Sequence, residues 1–243
     1  MDFTLSKYRQ LLVALKGYGN VILRHDVDLK PQNSLATAKL EHELGWKATY
    51  YFRAVPESWD EQIIKEIASL GHEIGYHYES LTTCDGDVEA AYRDFCANLE
   101  KLRTLAPVTS ICMHGSPKSK WDSRDLWKKY DYHPLGITFE PYLDTDFSKV
   151  FYLTDTGRRW DGFKVSVRDR IPQFQDEWVR KGWVYHSTDD IIQAISERSL
   201  PQSLMITTHP QRWTDNKMAW LQEMVTQKMK NMVKRVIVTK KAH

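Results

Sequence analysis

The sequence predicts an α/β fold on parallel strands. Short apolar runs alternate with amphipathic helical patterns, and the unusual polar residues gather where those runs end. Asp26 and Asp28, His77, His114 and His209 fall at or just past the carboxyl ends of four separate runs, the rim where barrels and open parallel sheets build active sites. The spacing of the units fits a complete or deformed barrel better than an open sheet.

Taken in order, MDFTLSKYRQLLVALKGYG is an amphipathic helix pattern without an apolar signal core. Asn20 to Leu23 reads as a strand buried on both faces, closing on the polar cluster Arg24-His25-Asp26-Val27-Asp28. A helix follows from Pro31 to Glu43, stopped by Gly45. Lys47 to Phe52 is rich in β-formers, and Asp60 to Leu70 carries Ile63, Ile64 and Ile67 at helical spacing. His72 to His77 reads as a third strand, Asp87 to Leu105 as a helix, and Val108 to Met113 as a fourth strand. Trp121 to Arg170 is less regular, with one extended stretch, Lys149 to Leu153. Regularity returns with a helix near Asp189 to Glu197, a strand from Ser203 to Thr207 and a final helix from about Thr214 to Val233. In that last helix the Met and Val spacing suggests a side that packs on the core.

The 243 residues, 42% of them hydrophobic, suffice for one large core, so a single domain over 1–243 is expected. Lys and Arg number 34 against 32 Asp and Glu, too even a balance to indicate a nucleic-acid partner. Cys84, Cys96 and Cys112 have neither the even count of a disulfide framework nor a paired zinc spacing, which fits reduced thiols in a cytoplasmic protein. No run of about 18 apolar residues is present, so no transmembrane segment is expected. Several of the nine tryptophans stand in polar stretches, as aromatic faces do that stack on sugar rings.

Residues two apart along a strand point to one side, so Asp26 and Asp28 can share a cavity while Val27 packs into the wall. Two like charges are tolerated there if a cation sits between them or one carboxyl keeps its proton, and either arrangement places a metal ligand beside a general base. The alternative is a strand-end pair that caps and bridges to Arg24. His77, on the same rim, supplies an imidazole suited to zinc and other first-row metals.

His25-Asp26-Val27-Asp28 after a buried strand, followed by Gly71-His72-Glu73-Ile74-Gly75-Tyr76-His77, resembles the polysaccharide deacetylase (NodB-homology, carbohydrate esterase 4-like) superfamily. The likeness is to its divergent branch associated with O-antigen and surface-polysaccharide biosynthesis. Later blocks extend it along most of the chain: His114-Gly115-Ser116-Pro117, Leu153 to Trp160, and Thr208-His209-Pro210-Gln211-Arg212-Trp213. The resemblance implies a deformed (β/α) barrel of seven or eight strands. It assigns Asp26 as general base, Asp28 and His77 as metal ligands and His209 as general acid, with one divalent metal, zinc first among the candidates.

Two departures matter. The second histidine expected four residues after His77 falls at Leu81, which cannot bind a metal, so His114 is the preferred replacement and Glu79 the other candidate. Where the family has an arginine that orients the base, this chain has His114-Gly115-Ser116-Pro117, leaving Arg24 or Arg168 for the task. Trp160 and Trp213, beside arginines, are expected to bind a carbohydrate or nucleotide-sugar substrate along with Arg24. The function implied is metal-dependent removal of an N-acyl, foremost an N-acetyl, group from a sugar or polysaccharide precursor. Its rivals are an inactive barrel that binds a glycan or nucleotide-sugar, and hydrolysis of a different amide.

Overall fold

The computed structural model describes residues 1–116, 119–160 and 170–241, with side chains through residue 232. In chain order the elements are α1 (Leu5–Leu15), β1 (Asn20–Val27), α2 (Pro31–Glu43), β2 (Thr49–Phe52), α3 (Glu61–Ser69), β3 (Glu73–Tyr78), α4 (Ser80–Thr83) and α5 (Val88–Arg103). They continue with β4 (Ile111–Met113), α6 (Pro141–Asp144), β5 (Phe151–Thr154), α7 (Pro172–Arg180), α8 (Thr188–Ser196), β6 (Ser203–Thr208) and α9 (Lys217–Lys241). The residues form two compact units, one of His25–Thr145 and one of Met1–Arg24 with Asp146–His243. Six strands alternating with helices make an α/β fold; the count is of the described residues.

In the unit His25–Thr145, β2 is parallel to β3 and β3 to β4, with Tyr51 opposite Gly75 and His77 opposite Cys112. Gly75 is required there: a Cβ would stand 2.3 Å from the Tyr51 ring. Helix α3 starts where the Asp60 carboxylate accepts from the Gln62 and Ile63 amides, both at 3.1 Å. It buries Ile63, Ile64 and Ile67, each contributing about 1.5–3 kcal/mol. Asp87 caps α5 in the same manner, accepting from the Ala90 amide.

Strand β1 runs past the apolar Asn20–Leu23 stretch and through the polar cluster as far as Val27. The polar residues stay in the strand because buried partners receive them. His25 Nε2 is 2.7 Å from Glu41 Oε1, and Glu41 Oε2 accepts from the Tyr50 hydroxyl at 2.7 Å, inside a fully buried group. His72 completes it, its Nδ1 accepting from the Ala48 amide at 3.2 Å and its Nε2 donating to the Ala38 carbonyl at 3.0 Å.

In the other unit β5 and β6 are parallel, with Thr154 opposite Thr207. Helix α1 is capped by Thr4, whose hydroxyl accepts from the Lys7 amide, and α8 by the reciprocal Ser187 and Asp190 capping box. Helix α7 was not expected from the sequence pattern. The packing side expected for α9 is corrected: Met229 and Met232 are about three-fifths exposed, at 60% and 62%. No helix among the described residues is long and apolar enough to cross a membrane.

Candidate active site

The end of β1 is pinned by the loop after β2. Ser58 Oγ donates to the Val27 carbonyl at 2.5 Å, and Arg53 Nη1 donates to the Asp28 carbonyl at 3.2 Å. The chain leaves the strand at Asp28, whose amide donates back to the Asp26 carbonyl at 3.1 Å. Parallel pairing then brings in His77 from β3 and His114 from just past β4. His77 Nε2 and His114 Nε2 are each 3.6 Å from Asp28 Oδ1, and Asp26 Oδ2 is 3.8 Å from His77 Nε2.

Separations of 3.6 Å are too long for hydrogen bonds. They are near the roughly 3.3 Å between neighbouring donors in a tetrahedral shell with bonds of about 2.0–2.1 Å. The ring tautomers fit the same use. His77 Nδ1 lies 2.8 Å from the Cys112 carbonyl, which only accepts, so Nδ1 carries the proton and Nε2 presents a lone pair toward Asp28. His114 Nδ1 lies 2.8 Å from Glu79 Oε2, which directs its Nε2 in the same way.

Glu79 is in turn held by Arg53, whose Nε and Nη2 donate to Oε1 at 2.9 and 2.6 Å. Burial works against the Glu79 charge, but His114 and Arg53 outweigh it and hold the carboxyl down at about 2. With both oxygens engaged, Glu79 orients His114 and is not placed as a ligand. Asp28, His77 and His114 thus bring one carboxylate oxygen and two imidazole nitrogens within 4.8 Å of one another, a donor set that suits a divalent first-row metal. A second grouping, Asp26, His77 and Cys112, shares His77 but is buried throughout. The first is partly open, as a site with an exchangeable position must be. Leu81 is buried in α4 and contributes no donor.

The unit containing His209 has its own polar centre, around Asp155. This fully buried carboxylate follows β5 and accepts from the His209 amide at 2.9 Å, from the Trp213 indole at 2.7 Å and from Arg212 Nη1. His209 Nδ1 is 2.6 Å from Asp155 Oδ1, so Nδ1 carries a proton toward that oxygen. Arg212 Nη1 and His209 Nδ1 lie 2.7 Å apart because both donate to the same oxygen. Burial disfavours the Asp155 charge, yet the Arg212 cation and the His209 bonds hold its carboxyl below the ordinary range.

Several expectations are corrected. Trp160 and Trp213 are 0% and 1% exposed, packed with Phe3 and against each other at 5.8 Å, so neither presents a face to a sugar. They sit beside arginines in sequence, but Trp213 is drawn inward by Asp155 and Trp160 by Thr188, whose hydroxyl accepts from its indole at 3.0 Å. Arg24 is 1% exposed, too buried to present its guanidinium to a substrate. Arg168 lies outside the described residues. Sequence reasoning also passed over Arg53, Ser58 and Asp155. Asp155 had a usable signal, an acidic residue directly after an extended apolar stretch, the same cue that singled out Asp26.

No protein-family model matches the chain. A curated relative, Exonuclease 3'-5' domain-containing protein 2 of Drosophila melanogaster, is 31% identical over 98 residues, which is 40% of this chain and 15% of that protein. Among solved structures, a mutant of a CE4 family pseudoenzyme is similar at a TM-score of 0.44 and 14% identity, over 86% of this chain and 62% of that one. A polysaccharide deacetylase from Bacillus cereus is similar at 0.42 and 11%, over 87% of each chain. A mutant of a peptidoglycan deacetylase from Bacillus subtilis is similar at 0.41 and 12%, over 90% of this chain and 96% of that one.

Proposed function

We propose that this chain is a metal-dependent deacetylase that removes an N-acetyl group from a sugar or nucleotide-sugar precursor of a bacterial surface polysaccharide. The observation that carries the reading is the convergence of His77 Nε2 and His114 Nε2 on Asp28 Oδ1, each at 3.6 Å. These three residues would hold one divalent ion, zinc by the chemistry of the set. Such an ion, when bound, would supply Lewis acidity toward the amide carbonyl and lower the pKa of water.

The chain's own residues supply the rest. Asp26, two residues before Asp28, takes the proton of the attacking water as general base. The sequence resemblance gives His209 the part of general acid: as the imidazolium, with its Nδ1–H held by the Asp155 carboxylate, it would give the Nε2 proton to the departing amine and be left as the neutral Nδ1–H ring. A deformed barrel of seven or eight strands belongs to the same reading.

Leu81, in place of the expected histidine, favours a second reading, a barrel that binds a glycan without cleaving it. Metal analysis of the purified chain and acetate release from N-acetylated sugars separate the two. About one zinc per chain with acetate release supports hydrolysis; saccharide binding without either assigns the second reading.

A further inference from the structure

Helix α9 turns a polar side inward and an apolar side to solvent. On the inner side, Glu223 Oε2 accepts from Arg158 Nη1 at 2.5 Å, Trp220 Nε1 donates to the Asp2 carbonyl at 2.7 Å and Asn231 Nδ2 donates to the Gly157 carbonyl at 2.9 Å. Gln227, between them, is buried and donates to Asn231 Oδ1 at 2.7 Å. On the outer side stand Met218, Leu221, Val225, Met229 and Met232, between 46% and 75% exposed. Their intervals of three, four, four and three residues keep all five on one stripe of a straight helix. This is the reverse of an ordinary surface helix, whose apolar stripe faces the core.

Charge identifies what the stripe meets. Helix α9 holds seven Lys and Arg residues against the single acid Glu223, whereas the rest of the chain holds 27 against 31. Lys217, Lys228 and Lys230 are exposed. A second copy of so basic a helix would bring like charge against like charge. A nucleic acid would take the lysines but has no use for a row of methionines. An anionic bilayer accommodates both, with thioether and branched side chains at the acyl boundary and ammonium groups among the headgroups.

We propose that α9 is an interfacial anchor that lies in the plane of an anionic lipid membrane with Met218, Leu221, Val225, Met229 and Met232 facing the acyl chains. The inference is independent of the hydrolysis proposed above.

The test is flotation of the full chain with phosphatidylcholine vesicles that contain or lack about 30% phosphatidylserine. The expected result is at least about tenfold more bound protein on the anionic vesicles, falling severalfold in high salt. Val225→Glu with Met229→Glu should lower that binding about tenfold, and Lys228→Glu with Lys230→Glu should abolish the preference for anionic lipid. Val13→Glu, on an exposed position of α1, should change nothing. Absence of flotation, or equal flotation on both vesicles, overturns the proposal. So does a concentration-dependent dimer lost in Val225→Glu, which would assign the stripe to a second copy, or retention of duplex DNA in place of vesicles. The lipid and salt dependence of the unmodified chain decides the matter if a variant does not fold.

Discussion

His114 is the residue on which the proposed metal site turns, because it supplies the second imidazole that Leu81 cannot. Replacing it with alanine leaves one carboxylate and one imidazole, and zinc content should fall from about one to near zero per chain, read by metal analysis after dialysis. Glu79→Gln keeps the shape but weakens the bond that orients His114 Nδ1, and should cost about 10–100-fold in zinc affinity in a competition titration. Asp155 does the corresponding work for His209. Asp155→Asn should lower kcat for acetate release by about 10²–10⁴ with KM little changed, because the neutral amide no longer orients the ring and stabilises the imidazolium that donates from Nε2. The sign of its pH effect follows from its depressed folded-state pKa. The Asp155 contribution to stability is complete above the unfolded value of about 3.9 and is lost as pH falls from there through the lower folded value. The unmodified chain should therefore lose more unfolding free energy than Asp155→Asn on titration from about pH 5 to pH 2. Sequence alone marked Asp26, Asp28, His77 and His114 through their places at strand ends. It misplaced Trp160 and Trp213 because a tryptophan among arginines reads as a sugar platform until its indole partner is known.

At the scale of elements, β1 is two-sided. Asp26 lies 3.8 Å from His77 Nε2, while His25, one residue earlier and on the opposite side, joins Glu41 of α2, Tyr50 of β2 and His72 at the entry to β3. That buried group ties a helix and three strands together at the level that sets the height of Asp26 and Asp28. Glu41→Ala takes the shared acceptor from His25 and Tyr50 and should destabilise the fold by about 3–5 kcal/mol, measured as a lower urea midpoint. Apart from the single turn of α4, the helix and strand pattern through β4 was legible because apolar spacing and caps agree there, as at Asp60 for α3 and Asp87 for α5. Helix α7 escaped because its apolar residues are few: Trp178 is its buried side chain. The outward stripe of α9 was invisible for a different reason. Periodicity reports that an apolar side exists, not whether it faces the core, and only the bonds of Glu223, Gln227 and Asn231 show that the polar side was turned inward.

At the scale of the whole molecule, the proposed metal donors Asp28, His77 and His114 all belong to the compact unit His25–Thr145, whereas Asp155 and His209 belong to the other. A ligand that binds only the folded form adds RT ln(1 + [L]/Kd), about 2.7 kcal/mol at a hundredfold excess over Kd. Zinc at that excess should raise the melting temperature by roughly 5–15 °C, and a chelator should return it. Part of that gain is offset because the nine histidines and three cysteines of the unfolded chain also bind zinc, which places the expected shift toward the lower end. Asp28→Asn and His77→Ala should each abolish it. Asp155→Asn should retain it, since that substitution falls in the other unit and leaves the three donors in place. An upward shift that survives Asp28→Asn and His77→Ala together would place the metal elsewhere in the chain, and the hydrolytic reading would lose its support.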